Sequence, residues 1–168
     1  MTLEIRKYPD PVLKKRTEKV NEITPEIKEL IFNMKETMLT EEGGKIKGVG
    51  LAAPQIGVSK KIIIILTKEG PRGFINPKIL KLDRKKEISK EGCLSLPGLW
   101  LNIKRPKTAE ISAIDENGKE IKISAEGFLS RVFQHEIDHL DGILFFERLP
   151  LLQRWRIKRN LDKKRTWI

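Results

Sequence analysis

The stretch RVFQHEIDHLDGILFF, residues 131–146, constrains the fold of this chain more than any other part of it. It holds both histidines of the sequence, His135 and His139, with Glu136 between them. On a helix with about 100° per residue, positions four apart lie about 40° apart and one turn along, so the two imidazoles can meet at one metal ion. Apolar residues take the opposite side, at Phe133, Ile137 and Leu140. The pattern therefore predicts a helix that is packed into the core and presents a polar, metal-binding stripe.

The rest of the chain predicts an α+β domain around that helix. Thr24-Pro25 is typical of a helix start, and apolar residues then recur at helical spacing until Gly43-Gly44. The run KKIIIILT predicts a buried strand, and alternating residues on both sides of Asn117-Gly118 predict a β-hairpin. A third helix follows Pro150. We expect one compact domain over residues 1–168, with antiparallel or mixed strands packed around the central HExxH helix.

Composition excludes several classes of protein. Apolar residues make up 39% of the 168 residues, which is too large a fraction for a disordered chain, and charged residues make up 34%. The longest clean apolar run, Ile62 to Leu66, is far too short for a membrane span. The start, MTLEIRKYPD, lacks the features of a secretory signal, so we expect a cytoplasmic protein without a membrane partner. The single cysteine, Cys93, cannot form an internal disulfide.

The two histidines leave the remaining ligands of a metal site to be found. An elongated motif would place a third histidine after Gly142, but that position is Phe145, and Glu147 lies too close to serve. A third ligand must therefore come from upstream, where KEGCLSLPG holds Cys93. A lone cysteine is more often an inert buried thiol. Its coincidence with two spaced histidines favours a His₂Cys site with one open position, which is typical of a catalytic metal.

The stretch GVGLAAPQIG, residues 48–57, contains a G-x-G-x-x-A pattern. We reject a dinucleotide site because no strand precedes the pattern and Pro54 would interrupt the helix that must hold the pyrophosphate. Its small residues would let a ligand approach the backbone closely, and Gln55 carries an amide that could donate to a developing oxyanion. The alternative is a plain tight turn before the next strand.

Three stretches together resemble the signature motifs of the peptide deformylase family: GVGLAAPQ (48–55), EGCLS (91–95) and QHEIDHLDG (134–142). The resemblance implies a metal-dependent hydrolase that removes the formyl group from the N-terminal formylmethionine of new polypeptides. It implies one divalent metal ion, Fe²⁺ first, with Zn²⁺, Ni²⁺ or Co²⁺ possible. The residues so implied are the metal ligands Cys93, His135 and His139, the acid/base Glu136, and the oxyanion donors Gln55 and the Leu94 N–H.

The resemblance also implies a substrate that lies as an added strand. Val49 and Gly50 would then offer backbone partners. By helical position, residues three, four and seven before His135 could line a pocket for the methionine side chain: Val132, Arg131 and Phe128. Arg131 could sit at the mouth of that pocket or be only a surface charge. We further expect Glu91 to pair with Arg105.

The basic character of the chain is concentrated in its C-terminal segment. The net charge is +11, and residues 151–168 hold seven basic residues and one acidic residue. We expect a basic helix at about 150–166, which is either a solvated face or a contact with nucleic acid, and the resemblance favours the ribosome. Two rivals remain: a basic RNA-binding protein with a structural metal, and an HExxH endopeptidase, against which the missing downstream ligand counts.

Overall fold

A five-stranded antiparallel sheet between two helices forms the centre of the fold. The computed structural model describes residues 1–42, 45–46 and 48–163. The helices are α1 (Pro25–Leu39), α2 (Gly127–Leu140) and α3 (Leu151–Lys163). The strands are β1 (Glu41–Glu42), β2 (Lys45–Ile46), β3 (Gly50–Ala52), β4 (Ile62–Thr67), β5 (Gly70–Leu82), β6 (Lys86–Cys93), β7 (Leu96–Pro106), β8 (Thr108–Ile114) and β9 (Glu120–Glu126). The predicted α+β class is confirmed.

The strands form three sheets. The central one has the order β3-β4-β5-β8-β9, β6 pairs with β7, and β1 pairs with β2. Every pair of named strands in the described residues is antiparallel. The predicted hairpin is β8–β9, where the Asp115 side chain accepts hydrogen bonds from the N–H groups of Asn117 and Lys119. Gly118 adopts φ +86° in this turn, a conformation that favours glycine.

Strand β4 explains why its sequence is apolar at every position rather than at alternate ones. Successive side chains of a strand point to opposite faces of the sheet. Ile63 and Ile65 belong to the core cluster that contains α2, whereas Ile62 and Ile64 belong to the cluster that contains α1. All four are fully buried, so the strand is covered by a helix on each face.

The hairpin β6–β7 carries Cys93 at the end of its first strand. Its pairing shifts register between Glu91 and Cys93, so the ladder is irregular next to the cysteine. The hairpin contributes to a third core cluster, in which Leu96 and Ile103 of β7 pack with Phe145. The hairpin is thus packed on the domain, and its turn is held near α2.

The C-terminal helix α3 lies on the surface, and none of its residues is buried. It contacts the domain through partly buried Ile157 and Leu161 and through the Tyr8 hydroxyl, which donates to Asp162 at 2.8 Å. The predicted end of this helix at about 166, with Lys164 and Arg165, lies outside the described residues. Within the described residues, no helix has the length and apolar character needed to cross a membrane.

Candidate metal centre

Three potential metal ligands converge from two elements. His135 and His139 lie one turn apart on α2, and Cys93 approaches from the end of β6. One donor atom from each lies within 4.8 Å of the others, and Cys93 Sγ is 3.2 Å from His139 Nε2. A tetrahedral metal with bonds of about 2.0–2.3 Å to nitrogen and sulfur separates two such ligands by about 3.5 Å. The spacing of these donor atoms fits a single bound cation.

The protonation of the two histidines also bears on metal binding. Burial and the charges of His135 and Arg105 hold the pKa of His139 well below its usual range, so its ring is neutral and can ligate. Burial also lowers the pKa of His135, but its hydrogen bonds to Cys93 and Glu91 outweigh burial and raise that pKa to about 10. Since a ligand ring must give up its proton, protons compete with the cation at His135.

Glu136 lies beside these residues and is buried. Its Oε2 has no hydrogen-bond partner within the part of the chain that the structure describes. Burial raises the pKa of Glu136 to about 7, which suits a group that exchanges protons near neutral pH. Gly50 leaves room for this carboxyl, because a Cβ at that position would lie 2.8 Å from Glu136 Cδ. The carboxyl therefore packs directly on the backbone of β3.

The Gln55 side chain has a defined orientation. Its Oε1 accepts from the Ala52 N–H at 2.9 Å, and its Nε2 lies 3.2 Å from Ser95 Oγ and 3.6 Å from Cys93 Sγ. The amide donor thus faces the cysteine, while the oxygen is engaged by the backbone. This orientation rests on the short 3-10 helix Ala53–Ile56, which follows β3.

A cavity of about 1080 Å³ opens beside Cys93 and His135. It is lined by Leu94 and by all five residues predicted to bind substrate: Val49, Gly50, Phe128, Arg131 and Val132. Phe128 is 66% exposed at this cavity, whereas Val132 is buried. The carbonyl oxygen of Val49 accepts from the Leu66 N–H at 2.9 Å, so β4 already engages it. The Val49 carbonyl therefore faces β4, and the expected backbone contacts of Val49 and Gly50 with a substrate stay a prediction.

The sequence left Arg131 either at the mouth of the pocket or as a surface charge, and its burial excludes the surface charge. It is 4% exposed, and its guanidinium donates to Glu91 Oε1 at 2.6 Å. Glu91 in turn contacts His135 Nδ1 at 3.1 Å through Oε2. The predicted pair of Glu91 with Arg105 is confirmed at 2.7 Å. Burial would raise the pKa of Glu91, but hydrogen bonds from His135 and Arg105 lower it to about 2, so this carboxylate stays charged.

The sequence-based prediction missed two further members of this network, the buried Asp138 and the half-exposed Arg148. Asp138 accepts from Arg105 at 2.8 Å, and Arg148 donates to both Asp138 carboxylate oxygens. Ser95 beside Gln55 was also missed. The sequence offered one signal for Asp138: it is a charged residue on a helix that is otherwise buried, and a buried charge requires a partner. The identity of those partners depends on how the hairpin packs.

Comparisons with known proteins agree with this geometry. A family profile described as Polypeptide deformylase matches residues 2–155. A peptide deformylase of Thermodesulfovibrio yellowstonii is 45% identical over 169 residues, which cover 97% of this chain and 98% of that protein. A peptide deformylase of Halothermothrix orenii is 49% identical over 149 residues, covering 88% of this chain and 93% of that protein.

Solved structures show the same fold. The crystal structure of peptide deformylase from Thermotoga maritima is 39% identical with a TM-score of 0.83, covering 89% of this chain and 99% of that one. The structure of the Ehrlichia chaffeensis enzyme in complex with actinonin is 38% identical with a TM-score of 0.85, covering 98% of each chain. With matching sequence over nearly its whole length and a matching fold, this chain belongs to the peptide deformylase family.

Proposed function

We propose that this chain removes the N-formyl group from the N-terminal formylmethionine of newly made polypeptides and releases formate. The observation that carries the proposal is the convergence of Cys93, His135 and His139, the first two of which line a cavity together with Glu136 and Gln55. Three protein ligands beside an accessible cavity are typical of a catalytic metal rather than a structural one. This geometry favours the hydrolase over an RNA-binding protein with a structural metal.

Cys93, His135 and His139 would hold one divalent cation, and we propose Fe²⁺, with Zn²⁺, Ni²⁺ or Co²⁺ as alternatives. A thiolate with two imidazoles suits each of these ions. Such a cation supplies Lewis-acid chemistry by lowering the pKa of water and polarising a carbonyl. The hydrogen bond between His135 Nδ1 and Glu91 leaves Nε2 of that ring available for the cation.

Glu136 is the acid/base of the proposed reaction. Its carboxylate takes a proton from the water whose oxygen attacks the formyl carbon. The bond from that carbon to nitrogen then breaks, and Glu136 delivers the proton to the departing amine, so that formate and a free amino terminus remain. A pKa of about 7, raised by burial, lets the same carboxyl accept and then return a proton at neutral pH.

Gln55 and the Leu94 N–H stabilise the negative charge that develops on the formyl oxygen. The Gln55 amide nitrogen already faces the cysteine ligand, and the Ala52 N–H keeps the amide from turning. Leu94 directly follows Cys93 and lines the same cavity. Removal of one such donor typically costs about 10²–10³ in rate.

The substrate peptide adds to the open edge of β3. Among the strands that the structure describes, β3 is the outermost of the central sheet and pairs there with β4 alone. The Val49 carbonyl is directed to β4, and neighbouring residues of a strand direct their backbone groups to opposite sides. Gly50 therefore offers its backbone groups to a peptide at the edge. Phe128 and Val132, on the first turns of α2, line the pocket for methionine.

Three broader expectations belong to this proposal. Residues 1–168 form one catalytic domain centred on α2, the protein works in the cytoplasm, and α3 contacts the ribosome. The third rests on charge, because Lys158, Arg159 and Lys163 lie on a helix without buried residues. Cations on an exposed helix attract nucleic-acid phosphates, and such contacts weaken steeply as salt rises.

Metal analysis and a substrate assay together test the proposed function. Protein purified without oxygen is expected to carry about one divalent cation per chain, as measured by elemental analysis. The same preparation should release equal amounts of amine and formate from a formyl-Met peptide and leave the matching acetyl-Met peptide intact. A chain that carries the metal but releases no amine from the formyl peptide would contradict the proposal.

A further inference from the structure

Arg131 occupies an unusual place for a residue that lines a cavity. It lies on α2 one turn before His135, and its side chain is 5% exposed. A buried guanidinium needs hydrogen-bond acceptors, since an unpaired buried charge is strongly unfavourable. The acceptors of Arg131 therefore indicate what the residue is for.

The guanidinium joins α2 to both strands of the hairpin that carries Cys93. Its NH1 donates to Glu91 Oε1 at 2.6 Å and to the carbonyl oxygen of Ile103 at 2.9 Å. Its NH2 lies 3.1 Å from the carbonyl oxygen of Glu87. Glu87 and Glu91 belong to β6, whereas Ile103 belongs to β7. One side chain thus spans the interface between the helix with two ligands and the hairpin with the third.

The same guanidinium acts on the carboxylate that contacts His135. Glu91 accepts from Arg131 and Arg105 at Oε1, and its Oε2 faces both Arg105 and His135 Nδ1. With Oε1 held by two cations, Oε2 is kept toward the imidazole. The contact of Oε2 with Nδ1 sets the orientation of the ring, which decides where Nε2 points.

We propose that Arg131 is a positioning residue for the metal ligands and that its guanidinium takes no part in binding the substrate. It holds the Cys93 hairpin against α2 and keeps Glu91 oriented toward His135. The inference rests on the proposed metal-dependent function. Loss of the residues that orient metal ligands typically weakens metal affinity by about 10–100-fold.

Direct titration of the apoprotein with Co²⁺ tests this inference without any substrate. The variants are Arg131→Met, which removes all three hydrogen bonds, and Arg131→Lys, which keeps the charge but loses the planar fork. Arg72→Met is the control, because Arg72 is a half-exposed arginine on β5 whose one ion pair in the described part of the chain is with Glu69. The readouts are the Kd for Co²⁺, the thiolate-to-cobalt absorption band, and circular dichroism of the apoprotein.

Arg131→Met should raise the Kd for Co²⁺ by about 10–100-fold and shift the cobalt band, with a smaller change for Arg131→Lys and none for the control. If Arg131→Met does not fold, Arg131→Lys alone decides. The inference is overturned if the folded variants keep the parent Kd and an unchanged cobalt band and show only a higher KM for the formyl peptide. Arg131 would then act in the substrate pocket. If the parent chain itself bound no cobalt, the metal-dependent function would fail, and this inference with it.

Discussion

Gly50 gives the sharpest test of how the structure places Glu136. In Gly50→Ala, the new Cβ would lie 2.8 Å from Glu136 Cδ and 2.9 Å from Cγ. Carbon atoms in contact normally stand about 3.5–4.0 Å apart, so the carboxyl must move by about 0.7 Å or more. The space is confined, because both residues are buried, Gly50 at the start of β3 and Glu136 inside α2. The substitution therefore displaces the acid/base and leaves the three ligand side chains in place.

The expected result of Gly50→Ala is a kcat lower by about 10²-fold, since a displacement near 1 Å in a catalytic group costs roughly that much. Overpacking should also destabilise the fold by about 1–3 kcal/mol. Stopped assays of amine release from a formyl-Met peptide measure kcat, and elemental analysis checks that metal content is unchanged.

The matched control is Gly73→Ala on β5. Its Cβ would lie 2.9 Å from Ile31 Cγ2, a similar degree of crowding against a side chain of the α1 core cluster. This variant should lose stability but keep kcat. A folded Gly50→Ala protein with parent kcat would refute the argument that Glu136 works from its position over β3.

Four further variants test the remaining roles. Glu136→Ala should keep the metal, because the metal ligands are Cys93, His135 and His139, but it should lose nearly all turnover. Turnover at the parent level would exclude Glu136 as the acid/base. Cys93→Ala should lose metal and activity together, as elemental analysis of the purified variant would show. Gln55→Leu should lower kcat by about 10²–10³-fold, and an unchanged kcat would mean that its motif serves only as a tight turn. Lys158→Gln combined with Lys163→Gln should leave kcat for a short peptide intact, yet weaken ribosome pelleting with a shallower salt dependence; identical pelleting across a salt series would make α3 only a solvated basic helix.

The last test uses substitutions rather than truncation for a structural reason. A chain that ends near Arg159 would also lose Leu161, which packs on the third core cluster, and Asp162, which accepts from Tyr8. Tyr8 donates its backbone N–H to the Ser95 carbonyl, next to the predicted oxyanion donor Leu94. Truncation would therefore disturb the site as well as the charge.

The sequence alone determined those features that depend on spacing within one element. His135 and His139 share a stripe because of helical geometry, and Thr24-Pro25 and Asn117-Gly118 mark a helix start and a hairpin through local backbone preferences. The IIII run predicted burial for the same reason. The family motifs added Cys93 to the predicted ligands. Cys93 lies 42 residues before His135, and no periodicity could show that the two approach each other.

Only the tertiary structure decided what each side chain meets across an interface. Helical position placed Arg131 beside the site, but whether its guanidinium faces a substrate, solvent or Glu91 depends on the hairpin β6–β7 that packs over it. Likewise, Gly50 was predicted to face a peptide, and its close approach to Glu136 appears only once α2 lies against β3. Local geometry follows from backbone sterics and hydrogen bonding along one segment, whereas these contacts join distant segments. They are set by the way the core packs, which residue spacing does not encode.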